Sequence, residues 1–150
     1  MYLWLLELFF AKKCKEQKID VDNLLHKAIE LQYKNSYKEA KKIYLYIISL
    51  KCQIELFDYS VALNNLVVIL YNTKEFEDAK RYYKELSRVR EKLLYADIEL
   101  YGIDYIYTKI MGIEWFNSSN KELNSLQEML QCYKGVYNTF YLEEKIKTLQ

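Results

Sequence analysis

Proline is missing from this 150-residue chain, and glycine occurs only three times, as Gly102, Gly112 and Gly135. A β-rich domain of this length needs both residue types for its turns, so their scarcity argues against a sheet architecture. Histidine is scarce as well. His26 stands alone, which excludes a metal site built on several histidines and gives no spacing signal for a Cys–His nucleophile. Cys14, Cys52 and Cys132 are odd in number and far apart, with no CxxC pair. They read as small buried hydrophobes in a reducing compartment, so the expected location is cytoplasmic. Net charge is small too: 22 basic and 21 acidic residues leave +1, which gives no bulk footprint for nucleic acid. Glycine-rich phosphate loops, a GxSxG elbow and an HExxH helix are all absent. No catalytic residue, metal ligand or cofactor is therefore expected, and the chain reads as non-enzymatic.

What is present points to helices. Apolar residues make up 51% of the chain and charged residues 29%, which favours a folded chain over a disordered one. The expected fold class is all-α, in a single domain spanning 1–150. The nearest approach to a basic cluster is Lys80-Arg81, Lys84, Arg88 and Arg90. Glu77, Asp78, Glu85 and Glu91 interleave with it, and the set reads as a solvated helix face.

The first ten residues, MYLWLLELFF, are nearly all apolar and are followed by Lys12-Lys13. A signal peptide has the reverse charge order, and a membrane span needs about 20 apolar residues. The segment reads instead as a helix over 1–17, with Trp4, Leu5 and Phe9 as a candidate interface through which the chain forms a homo-oligomer. It reads equally as the second helix of a repeat whose first helix lies outside this sequence. That would make the chain a fragment.

Two segments align without gaps. Leu24 through Tyr44 lies over Leu63 through Tyr83, and both contain aromatic-[KE]-[ED]-Ala-Lys-[KR]-x-Tyr. Tyr37 or Phe76 opens a second helix and closes the turn over the first. Ala40 or Ala79 is small where the two helices touch, and Tyr44 or Tyr83 fills the groove between them. Asn35, just before Ser36-Tyr37, suits the left-handed conformation that often ends a helix.

This pattern resembles the tetratricopeptide repeat over about half the chain. The family's first-helix positions fall on Leu24, Lys27, Ala28 and Leu31, then on Leu63, Leu66, Val67 and Leu70. Its second-helix positions fall on Ala40, Tyr44 and Ile47, then on Ala79, Tyr83 and Leu86. The departures are a spacing of 39 residues from Ala40 to Ala79, against about 34 in the family, and no closing proline. The resemblance implies stacked antiparallel helix pairs in a right-handed superhelix. Repeats are expected at 22–51 and 61–93, with a degenerate third at 96–135 and a closing helix at 137–149. In the third, Met111-Gly112-Ile113-Glu114-Trp115 places Gly112 at a close contact, Asn120 is a candidate cap, and Gly135 a candidate bend.

The resemblance also implies a function: a peptide or protein partner held on the concave face by the first helices. Mapped residue by residue, that face carries His26, Ile29 and Tyr33, then Asn64, Asn65, Val68 and Tyr71, then Lys109 and Ile113. An Asn side chain offers both a donor and an acceptor, so Asn64-Asn65 suits the backbone of an extended peptide; either residue is equally suited to cap a helix or turn. The sixteen tyrosines fit the family's aromatic packing positions or, alternatively, an aromatic groove. Two narrower roles also match. One is the peptide-sensing domain of a bacterial quorum-sensing regulator without its DNA-binding part, and the other is a secretion chaperone. Neither involves direct contact with nucleic acid or a membrane span.

Overall fold

The computed structural model describes residues 19–150, so the 1–17 helix and the interface residues Trp4, Leu5 and Phe9 lie outside the described residues. Seven helices account for most of the described chain: α1 (Val21–Tyr33), α2 (Tyr37–Ser49), α3 (Leu56–Asn72), α4 (Phe76–Ala96), α5 (Ile98–Phe116), α6 (Leu123–Gln131) and α7 (Phe140–Leu149). The described residues contain no strand beyond one isolated bridge between Lys134 and Tyr137. The protein is all-α, as its composition implies. None of these helices is long and apolar enough to cross a membrane. The chain divides into two compact units, Met1–Phe76 and Glu77–Gln150.

In the first unit, Asp20 starts α1 by accepting a hydrogen bond from the Asn23 amide at 3.1 Å. Val21, Leu25 and Ala28 form its buried stripe, and Ala40, Tyr44 and Ile47 form that of α2. Ala28 and Ala40 have no exposed surface, the signature of two helices crossing closely at residues without a side chain beyond Cβ. Tyr44 is equally buried, and its hydroxyl donates to Gln32 Oε1 on α1 at 3.0 Å. Full burial of a side chain such as Ile47 stabilises the pair by about 1.5–3 kcal/mol.

The turn between α1 and α2 is closed by Asn35 at φ 59°. The Ser36 amide donates to the Leu31 carbonyl and the Asn35 amide to that of Gln32, the paired pattern of a Schellman cap. The same turn recurs after α3. Lys74 sits at φ 64°, Glu75 donates to Leu70 and Lys74 donates to Tyr71. Tyr37 and Phe76 each follow their cap and begin the next helix. The Tyr37 hydroxyl donates to Asn35 Oδ1 at 2.9 Å, and the Phe76 ring meets Tyr71 edge-on at 5.2 Å. Helix α3 begins at Leu56, five residues before the expected 61, and buries Tyr59, Ala62, Leu63, Leu66, Val67, Ile69 and Leu70.

In the second unit, Ile106 and Ile110 of α5, Leu123, Leu126 and Leu130 of α6, and Leu142 and Ile146 of α7 form one core, closed by Tyr133. Gly102 and Gly112 of α5 are both buried, and each receives a tyrosine. A Cβ at Gly112 would overlap the Tyr83 hydroxyl and lie 2.5 Å from its Cζ; at Gly102 it would meet Tyr133 in the same way. Gly112 therefore stands at a close contact, made with Tyr83 of α4. The Tyr133 hydroxyl donates to the Ile98 carbonyl. Asn117, at φ 53°, ends α5, and Gly135, at φ 87°, makes the expected bend.

Several local expectations need correction. Arg90 is not part of a solvated face: it is 5% exposed and pairs with Asp104 at 2.5 Å. Burial lowers its pKa, and the Asp104 carboxylate opposes that shift. Cys52 and Cys132 are exposed thiols, not buried hydrophobes, because both fall in turns and not on the inward stripe of a helix. No side-chain cap by Asn120 forms; its carbonyl accepts from the Leu123 amide at the start of α6. Helix α7 starts at Phe140 and not at Tyr137. Asn138 Oδ1 accepts from the Phe140 amide, and the Thr139 hydroxyl donates to Glu143 Oε1 at 2.7 Å.

Candidate functional site

The first unit carries a half-open cavity of about 290 Å³ lined by Ile29, Gln32, Tyr33, Asn35, Tyr37, Asn65 and Asn72. Its position follows from the helix periods. Ile29, Gln32 and Tyr33 are three and four residues apart on α1, which puts them on one face. Asn65 and Asn72 are seven apart on α3, two turns along the same stripe. Asn35 and Tyr37 enter from the turn that the Asn35 cap creates.

The lining carries four side-chain amides and two phenols, and no charged group. Asn65 Nδ2 donates to the Val61 carbonyl at 3.1 Å, which fixes its rotamer within α3. Neither Asn64 nor Asn65 sits at a helix end, so the capping alternative does not hold for them. Gln32 Oε1 accepts from Tyr44, and Asn35 Oδ1 accepts from Tyr37. Three of the four amides therefore have one anchored atom, while the opposite end of each group keeps hydrogen-bonding capacity. Burial raises the Tyr44 pKa, with Tyr33 adding to the shift, so the hydroxyl that orients Gln32 stays protonated far into the alkaline range.

Of the residues mapped onto a concave face, Ile29, Tyr33 and Asn65 converge on this cavity. His26 is exposed on α1 and does not line it. Asn64 and Val68 are half-buried on α3 and also fall outside the lining, and Tyr71 packs on Phe76. Lys109 and Ile113 belong to the second unit, where Lys109 lies 3.6 Å from Glu122 and 5.3 Å from the Tyr105 ring centre. Gln32, Asn35, Tyr37 and Asn72 line the cavity outside the concave-face mapping, although the seven-residue step from Asn65 to Asn72 points to the last of them.

Fold and cavity define a class, an all-α protein of consecutive helices with an amide-lined cavity between the first and third. No family model matches the chain, and no curated protein or solved structure matches it.

Proposed function

We propose that this chain is a non-enzymatic helical-repeat module of the tetratricopeptide kind that binds an extended, largely uncharged peptide. The observation that carries the reading is the set of four amides around the cavity of the first unit. Amides serve a peptide backbone well because each can donate to a carbonyl or accept from an N–H, whatever the side chain. A cavity of about 290 Å³ accommodates one peptide side chain, with neighbouring residues of the ligand lying along open surface. The Schellman turns after α1 and α3, 39 residues apart, support the repeat interpretation. Exposed thiols at Cys52 and Cys132 suit a reducing cytoplasm. Within this reading fall the narrower roles of a bacterial peptide sensor or a secretion chaperone, with self-association through the apolar segment at 1–10.

The test is selection from a synthetic heptapeptide library on the immobilised chain, followed by calorimetric titration of the selected peptides. Asn65→Ala should weaken binding about tenfold, the loss expected for hydrogen bonds left unmade in a buried contact. Equal affinity in wild type and variant would remove the cavity from the site. Failure to select any peptide would sink the reading.

A further inference from the structure

The second unit holds a cavity of its own, about 330 Å³, between α4, α5 and the loop entering α6. Its chemistry is the opposite of the amide cavity's. Lys84 and Arg88 stand one turn apart on α4, and Lys109 joins them from α5. Ser87, Ser118 and Ser119 add three hydroxyls, and Glu122 is the only acid in the lining.

Glu122 occupies this site loosely. Its carboxylate lies 3.6 Å from Lys109 Nζ, beyond a normal hydrogen bond, and its side chain is 59% exposed, whereas that of Lys109 is 25% exposed. The cation is the less exposed of the two, and the Tyr105 hydroxyl is its second partner. We propose that this cavity is a binding site for a phosphate monoester, whose phosphate displaces the Glu122 carboxylate from Lys109. Three cations against one carboxylate leave a positive excess of about two, which matches the charge of about −1.5 to −2 on a phosphate ester at neutral pH. Arg88 and the Ser119 hydroxyl supply directed donors for the three non-bridging oxygens, and Ser87 and Ser118, now bonded to the Tyr83 hydroxyl, can turn to join them. Ile113 and Leu126 complete the lining and give an apolar wall for the body that carries the phosphate.

The full chain would be titrated with inorganic phosphate, phenyl phosphate and acetate, at ionic strength held constant with sodium chloride, and followed by amide chemical shifts. Phenyl phosphate should saturate, bind several-fold tighter than inorganic phosphate, and perturb Ser118 and Ser119. Arg88→Gln, at an exposed position, should weaken it about tenfold without altering the helical spectrum, and Lys109→Met should do the same. Glu122→Gln should tighten it several-fold by removing the competing anion. Equal affinity for inorganic phosphate and phenyl phosphate would overturn the ester in favour of the free ion. A response shared by acetate or reproduced by chloride would overturn the site, as would Arg88→Gln and Lys109→Met both binding like wild type.

Discussion

Tyr44 and Tyr83 occupy the same place in two aligned segments, yet their hydroxyls are housed in different ways. In the first unit, Tyr44 reaches across to α1 and finds an acceptor, Gln32 Oε1. In the second, Tyr83 lies over the bare backbone of Gly112, with its ring 4.9 Å from that of Phe116. Both hydroxyls have polar partners, Tyr83 in Ser118 and Ser87, but only the second arrangement also removes a side chain. A hydrogen bond at a half-exposed amide is replaceable by water, so the first arrangement should tolerate change. A close-packed ring over backbone has nowhere to go, so the second should not.

Gly112→Ala should therefore have the largest effect, a loss of about 3 kcal/mol by chemical denaturation, the upper end of overpacking costs. Adding Tyr83→Phe should recover part of that loss, because the hydroxyl is the atom the new methyl meets first. If Gly112→Ala is neutral, the contrast between the two tyrosines fails.

Alkaline pH acts on both tyrosines. Burial raises the pKa of Tyr44 and of Tyr83 above the usual 10.0, so above that pH the unfolded chain releases protons that the folded chain retains. Their contribution is fully present below pH 10.0 and is lost as pH climbs, by up to about 1.4 kcal/mol per pH unit for each. Denaturation curves between neutral pH and the alkaline range should show this fall. Tyr44→Phe should flatten it while costing only about 1 kcal/mol at neutral pH, the worth of one hydrogen bond. A slope unchanged in Tyr44→Phe would place the titrating group elsewhere.

The smallest effect concerns the two turns. Lys74→Gly should stabilise by about 0.5–1 kcal/mol, since glycine takes a positive φ without the steric cost that lysine bears. Asn35→Gly should gain less, because Asn already tolerates that region and its Oδ1 accepts from Tyr37. Melting temperatures ranked Lys74→Gly, Asn35→Gly, wild type from highest to lowest would bear this out; the reverse order for the two variants would not.

The same pair of turns explains what sequence could convey. Asn35 announces its left-handed turn by chemistry, whereas Lys74 adopts the same geometry with no local preference for it. Only the alignment of Leu31 with Leu70 and Tyr37 with Phe76 betrays the second turn. Ala40 and Tyr44 were legible because small and large residues at helical spacing mark a crossing. The start of α3 at Leu56 was not, because Glu55 makes no side-chain cap and Leu56 and Phe57 are exposed. Arg90 looked like one more charge on a mixed face, and only its distant partner Asp104 accounts for its burial. The cavity was half legible: periodicity points to Tyr33 and Asn65, but the contribution of Asn35 depends on how the turn folds back.

Helix α5 carries its two tyrosine notches ten residues apart, about 15 Å along the axis and roughly 80° around it. Two pins at different heights and different bearings lock a rod against both sliding and spinning. Any ligand that shifts α5 within its unit must carry Tyr83 and Tyr133 with it, so the helix can transmit a displacement but cannot absorb one.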